Sequence, residues 1–205
     1  MDELGRYLSP MRPDADIAAC RDAHRRLLDA LAPLTDDEFR APSRLPRYSR
    51  AHVVAHLTNK ATAHVRLFGG PAAGKIRRLH PEGYDPDHAA EVGAGRPAAA
   101  LRADLAQSLA VLEAAWDDLG TEHWDRLGIM TAGPRTLAEI VGHHLRNVEA
   151  HHVDLDIGYE VADWPPAFVE GELARRLRGL PDRADHVDLL AWLLDRGTAP
   201  DLGPW

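Results

Sequence analysis

The sequence predicts a mainly α-helical protein whose principal domain is a four-helix bundle. Apolar residues recur at spacings of three and four through four long stretches, the signature of amphipathic helices packed on a common core. No segment shows sustained period-two alternation of apolar and polar residues. Clusters of Gly and Pro punctuate the helical stretches. The bundle is expected over residues 1–160, with 161–205 a short, reduced C-terminal segment.

Asp14 is the expected N-cap of the first helix, which runs to about Ala32 with Ile17, Cys20, Leu27, Leu28 and Leu31 as its apolar stripe. Pro33 and TDDEF make a turn with a short helical piece, and Pro42–Pro46 a loop. Ser49 then caps a second long helix, SRAHVVAHLTNKATAHVRLF, ended by Gly69-Gly70-Pro71. Residues 71–96, rich in Gly, Pro and His, read as a long irregular connection. A third helix spans Pro97 to Asp118, with Leu101, Leu105, Leu109, Leu112 and Trp116 inward. Gly120 to Gly133 is an irregular hairpin or a loop. The fourth long helix opens near Arg135 or Thr136 and reaches about Tyr159. Trp164-Pro165-Pro166 breaks the chain, a short helix follows to Arg178, and HVDLLAWLLDRG forms the last one.

Length and composition narrow the function. A chain of 205 residues, 27% charged and 45% hydrophobic, is an ordinary globular one with room for a core. A net charge of −8 without a basic patch argues against nucleic acid. Arg175, Arg176 and Arg178 read as a solvated helix face. No apolar run approaches the ~18 residues of a membrane span, and MDELGRYLSPMRPDADI lacks the pattern of a signal peptide. The single cysteine, Cys20, sits in an apolar stripe and reads as core; together these features fit a cytoplasmic protein, monomeric or homodimeric. Trp116, Trp124 and Trp192 read as core or interface anchors.

Histidine is the unusual residue, with twelve copies. His52 and His56 share a face of the second long helix at a spacing of four. His144, Asn147 and His151 recur at three and four on the fourth, while the neighbouring His143 and His152 point elsewhere. Facing helices of a bundle can gather such side chains around one metal ion, with positions left open for catalysis. Motifs for zinc proteases, serine hydrolases, P-loops and dinucleotide binding are all absent.

Two stretches carry a resemblance. YSRAHVVAHLTNKA and RNVEAHHVDLDIGY resemble the paired helix motifs of the mycothiol-dependent maleylpyruvate isomerase family, within the DinB-like helical bundles. ADWPPAFV and LLAWLLDRG resemble its later landmarks, so the likeness spans nearly the whole chain. It implies a DinB-like four-helix bundle holding a divalent metal, usually zinc, through one histidine of the second long helix and a Glu-x-x-x-His pair of the fourth. Carried over, the histidines are His52 and His151, and the glutamate position holds Asn147. His56 and His144 are possible substitutes. Glu149 lies roughly 200° around the helix from Asn147 and does not replace the missing carboxylate.

The resemblance further implies mycothiol as thiol cofactor or cosubstrate, activated at the metal for addition to an unsaturated small molecule. Arg196 in LLDRG matches the arginine expected to hold a substrate carboxylate. The interval between ADWPP and LLAWL is shorter than the family's, so substrate identity does not transfer. Isomerisation, transfer of the thiol to an electrophile, and a non-catalytic binding or stress-response role remain open on the sequence.

Overall fold

Local capping decides where most helices begin, and it sets the ends of the bundle. The computed structural model describes residues 11–69 and 76–202. The N-terminal decapeptide and the Gly70-Pro71 half of the second helix's stop signal lie outside these residues. Helix α1 (Asp14–Leu31) starts one residue earlier than expected, with Pro13 rather than Asp14 in the cap position. Thr35 and Glu38 close a reciprocal capping box over α2 (Asp36–Arg40). Helix α3 (Arg50–Phe68) follows Ser49, whose backbone N–H donates to His52 Nδ1 at 3.2 Å. A histidine thus fills the place usually taken by Glu or Gln.

The stretch 71–96 departs from the irregular connection expected of it. Pro86–Ala94 is a helix, α4, with Pro86 at its first turn and the Asp85 carboxylate accepting from the N–H groups of Asp87 and His88. An N-cap aspartate followed by proline is a strong start signal, outweighed in the sequence reading by the surrounding Gly and Pro. α4 packs on α3, where Gly93 meets Ala55. A Cβ at Gly93 would lie 2.6 Å from that of Ala55, so only glycine permits this approach.

Helix α5 (Ala98–Asp117) leads through a 3₁₀ turn to an antiparallel hairpin, β1 (Leu127–Met130) and β2 (Gly133–Thr136). The hairpin pairs Leu127 with Thr136 and Met130 with Gly133, whose φ of 106° favours glycine. Ile129 also exchanges backbone hydrogen bonds with Arg77 and Leu79, which fixes the chain just before His80. Thr136 and Glu139 then cap α6 (Leu137–Asp154), which ends five residues before the expected Tyr159.

α1, α3, α5 and α6 form the four-helix bundle, with α1 against α5 and α6, and α3 against α5 and α6. The expected inward residues are buried: Ile17, Cys20, Leu27 and Leu31 on α1, and Leu101 through Trp116 on α5. Leu28, in the expected stripe of α1, is only half-buried. Each fully buried leucine contributes roughly 1.5–3 kcal/mol of hydrophobic stabilisation. Cys20 is fully buried, donates to Val141 O, and has its thiol pKa raised by desolvation and nearby carboxylates, as expected of a core cysteine. Trp116 and Trp124 are core, whereas Trp192 is 40% exposed.

The chain divides into two compact units, Met1–Val161 and Ala162–Trp205. The second holds α7 (Pro166–Gly179) and α8 (His186–Leu193), joined by a 3₁₀ turn. Within it, Arg175 and Arg176 both pair with Glu172. Among the described residues no helix is long and apolar enough to cross a membrane.

Candidate metal and substrate site

α3 and α6 run antiparallel with their histidines in register. His56 of α3 meets His151 of α6, ring centroids 4.9 Å apart and near-perpendicular. Two turns further along α3, His64 meets His144, Nδ1 to Nδ1 at 3.1 Å. These two contacts fix the interface between them.

His151 Nδ1 lies 2.8 Å from Asp154 Oδ2. A carboxylate there accepts the Nδ1 proton and leaves the lone pair on Nε2. His56 is pulled down to about 4, chiefly by burial and then by His151 and Lys60, so its imidazole is neutral at physiological pH. Asn147, one turn before His151 on the same face, has a buried side-chain oxygen with no hydrogen-bond partner. An orphaned amide oxygen one turn from this facing pair of imidazoles makes a donor set that fits a divalent ion. Among the described residues, no group of three His, Cys, Asp or Glu side chains could do the same.

His52 is engaged differently. Its Nδ1 accepts from the Ser49 N–H, and its Nε2 lies 2.8 Å from the exposed Glu91 carboxylate on α4. Both ring nitrogens are occupied, one of them by the cap of α3. The structure therefore brings His56, rather than His52, to His151.

His144 belongs to a second cluster. It sits between His24 of α1 and His64 of α3, with Nε2 2.9 Å from His24 Nε2, and His24 Nδ1 is 2.6 Å from Glu113 Oε1. All three imidazoles are buried. With Glu113 ionised, one set of tautomers satisfies the chain: His24 donates from Nδ1 to Glu113, His144 from Nε2 to His24, and His64 from Nδ1 to His144. Desolvation holds His64 and His144 well below the usual histidine pKa. With both nitrogens of His144 bonded, it is not available beside His151. His143 stands edge-on to His64, ring centroids 6.0 Å apart.

Glu149 and His152 form a structural group on another face of α6. Buried Glu149 pairs with Arg26 of α1 and accepts from Tyr159 Oη at 2.6 Å. His152 stacks on Tyr159 at 3.9 Å. Arg196 lies in the second unit, exposed, with its guanidinium donating to the carbonyl of its neighbour Asp195.

A recess of about 360 Å³ between α3 and α5 is lined by Thr58, Thr62, Val65, Asp104, Gln107, Ser108 and Val111. It lies on the opposite face of α3 from His56 and contains no imidazole, so it is separate from this chemistry. Sequence reasoning missed His24, His64 and Glu113; the sign for His64 is the four-residue stepping His52, His56, Lys60, His64 along one side of α3.

The profile of the mycothiol maleylpyruvate isomerase N-terminal domain matches residues 20–156, from the second turn of α1 to just past the end of α6. The chain belongs to this family. Among solved structures, the mycothiol-dependent maleylpyruvate isomerase is similar with a TM-score of 0.75 and 21% sequence identity, over 80% of this chain and 68% of that one. A histidine-to-alanine mutant of the same isomerase matches with the same values. At that identity the likeness shows a shared maleylpyruvate isomerase fold. A search of curated proteins finds no match. The family match ends two residues past α6, the last helix of the bundle, so it includes every imidazole described above from His24 to His152.

Proposed function

We propose that this chain is a thiol-dependent enzyme that uses mycothiol, with a divalent metal such as zinc, to isomerise an unsaturated small-molecule diacid. The supporting observation is the pairing of His56 with His151 across α3 and α6, one turn from the orphaned Asn147 oxygen. His56, Asn147 and His151 are the proposed ligands. A divalent ion bound there would supply Lewis acidity and bring a thiol's pKa toward neutrality.

The chain's own residues prepare that site. Asp154 fixes the tautomer and orientation of His151, and burial keeps His56 deprotonated without any need to displace a proton. Asn147 contributes no charge where the family resemblance expects a carboxylate. A neutral donor set leaves the ion its full double charge, which strengthens its pull on a thiol and weakens its retention. This same neutrality favours one second reading, in which the activated thiol is transferred to an electrophile and not released.

Metal analysis of the purified chain tests the site. About one divalent ion per chain is expected, lost in His56→Ala and His151→Ala and largely retained in His52→Ala. Retention in His56→Ala with loss in His52→Ala would reject the geometry proposed here. Calorimetry with mycothiol tests the thiol, and product analysis with maleylpyruvate separates isomerisation from transfer. A wild-type protein that binds neither metal nor any small thiol would end the enzyme reading and favour a non-catalytic binding role.

A further inference from the structure

Lys60 lies on α3 one turn beyond His56 and one turn before His64. Both of those imidazoles touch rings on α6, so the same side of α3 that presents them presents Lys60. The antiparallel register places Lys60 level with Asn147, midway between the His56–His151 and His64–His144 contacts. Lys60 is half-buried and makes no hydrogen bond or ion pair among the described residues. Its charge is felt by His56, His64, His80 and His144. Desolvation lowers its own pKa, and no carboxylate offsets that effect.

His80 completes the surroundings. The backbone bonds between Ile129 and residues 77 and 79 pin the chain ahead of it, and it stacks flat on Tyr84 at 4.1 Å. Burial and the neighbouring cations also lower its pKa. The region around Lys60 thus holds one half-buried ammonium and several imidazoles of lowered pKa, with the exposed Arg66 guanidinium on its His80 side. A desolvated ammonium without a counter-ion is costly, and the missing component is an anion. Neutral imidazoles can donate N–H groups to such an anion. Lys60 is the one desolvated positive charge there, since Arg66 is solvated, and a single such charge matches a carboxylate better than a dianionic phosphate.

We propose that Lys60 is the anion-binding residue of this site and receives a carboxylate of the small-molecule ligand. The inference rests on the enzyme reading above and moves the expected carboxylate contact from exposed Arg196 into the bundle. Lysine suits this position as a compact charge on a flexible stem, whereas the Arg196 guanidinium is solvated.

Calorimetry on the full chain with maleate, a plain cis dicarboxylate, tests it. Saturable binding is expected for wild type, weakened about tenfold or more in Lys60→Met and unchanged in Arg196→Met. Lys60→Met removes a partly desolvated charge and is expected to fold. Thermal unfolding gives a second readout: maleate raises the Tm of wild type and not of Lys60→Met. Wild-type affinity in Lys60→Met, loss of binding in Arg196→Met alone, or no maleate binding to wild type would each overturn the proposal. Tighter Lys60-dependent binding of inorganic phosphate would overturn the carboxylate assignment. Mycothiol titrations on wild type and Lys60→Met keep the two readings apart. Failure of wild type to bind mycothiol counts against the thiol enzyme, whereas loss of maleate binding alone in Lys60→Met supports the lysine assignment.

Discussion

Glu149→Ala should be among the most destabilising single changes in the bundle outside the apolar core. The carboxylate is only 1% exposed, yet it holds a salt bridge to Arg26 of α1 and a 2.6 Å hydrogen bond from Tyr159. The phenol pKa of Tyr159 is raised, mainly by burial and then by Glu149, so it remains a donor at neutral pH. Each charge-assisted bond contributes about 1.5–3 kcal/mol, and removing one partner of a buried pair costs about 3–5 kcal/mol. Arg26 is 36% exposed and can turn to water once released, which places Glu149→Ala near the lower end, about 3 kcal/mol. Tyr159→Phe removes one bond and should cost about 1.5–2 kcal/mol. Urea unfolding at neutral pH measures both, and a double-mutant cycle with Arg26→Met isolates the pair. A loss below about 1 kcal/mol in Glu149→Ala would show that water replaces these partners and that the group does not tie α1 to α6.

Acid should destabilise the fold through the buried histidines. Burial holds the folded-state pKa values of His64 and His144 well below the ordinary histidine value, so the unfolded chain binds protons first as pH falls. Their contribution is present above about pH 6.5 and declines below it, and urea midpoints that stay constant from pH 7.5 to 5 would refute the neutral assignment. Asn147→Glu restores the carboxylate implied by the family resemblance and should slow metal loss to a chelator; an unchanged off-rate would remove Asn147 from the ligand set. Gly93→Ala drives a methyl group against Ala55 and should lower stability by about 1–3 kcal/mol, read as a drop in Tm, while a neutral outcome would mean that α4 shifts freely on α3.

Much of the bundle was legible because helix periodicity and caps are local signals. The leucines of α5, the start of α6 beside Thr136 and the position of Cys20 follow from spacing and residue type within one or two turns. α4 was hidden because its start signal, Asp85-Pro86, sits among Gly and Pro residues that locally favour irregular chain. The end of α6 at Asp154 was equally obscure, since the chain beyond it carries no strong stop until Gly158.

The sequence by itself determined that two helices carry histidines on matching faces, that Asn147 stands one turn before His151, and that the chain resembles one family of helical bundles. Tertiary structure alone decided which of these residues meet. Periodicity places His52 and His56 on the same side of α3, but only packing shows His56 against His151 and His52 drawn aside by Ser49 and Glu91. Likewise, His144 and His151 share a helix face, yet α1 supplies His24 and Glu113 waits on α5, so His144 is committed elsewhere. Glu149 resembled a spare carboxylate until Arg26 and Tyr159 closed on it. The reason is physical: a helix fixes directions along one axis, whereas the partner of a side chain is set by the register and rotation of neighbouring helices, through contacts more than a hundred residues apart in sequence.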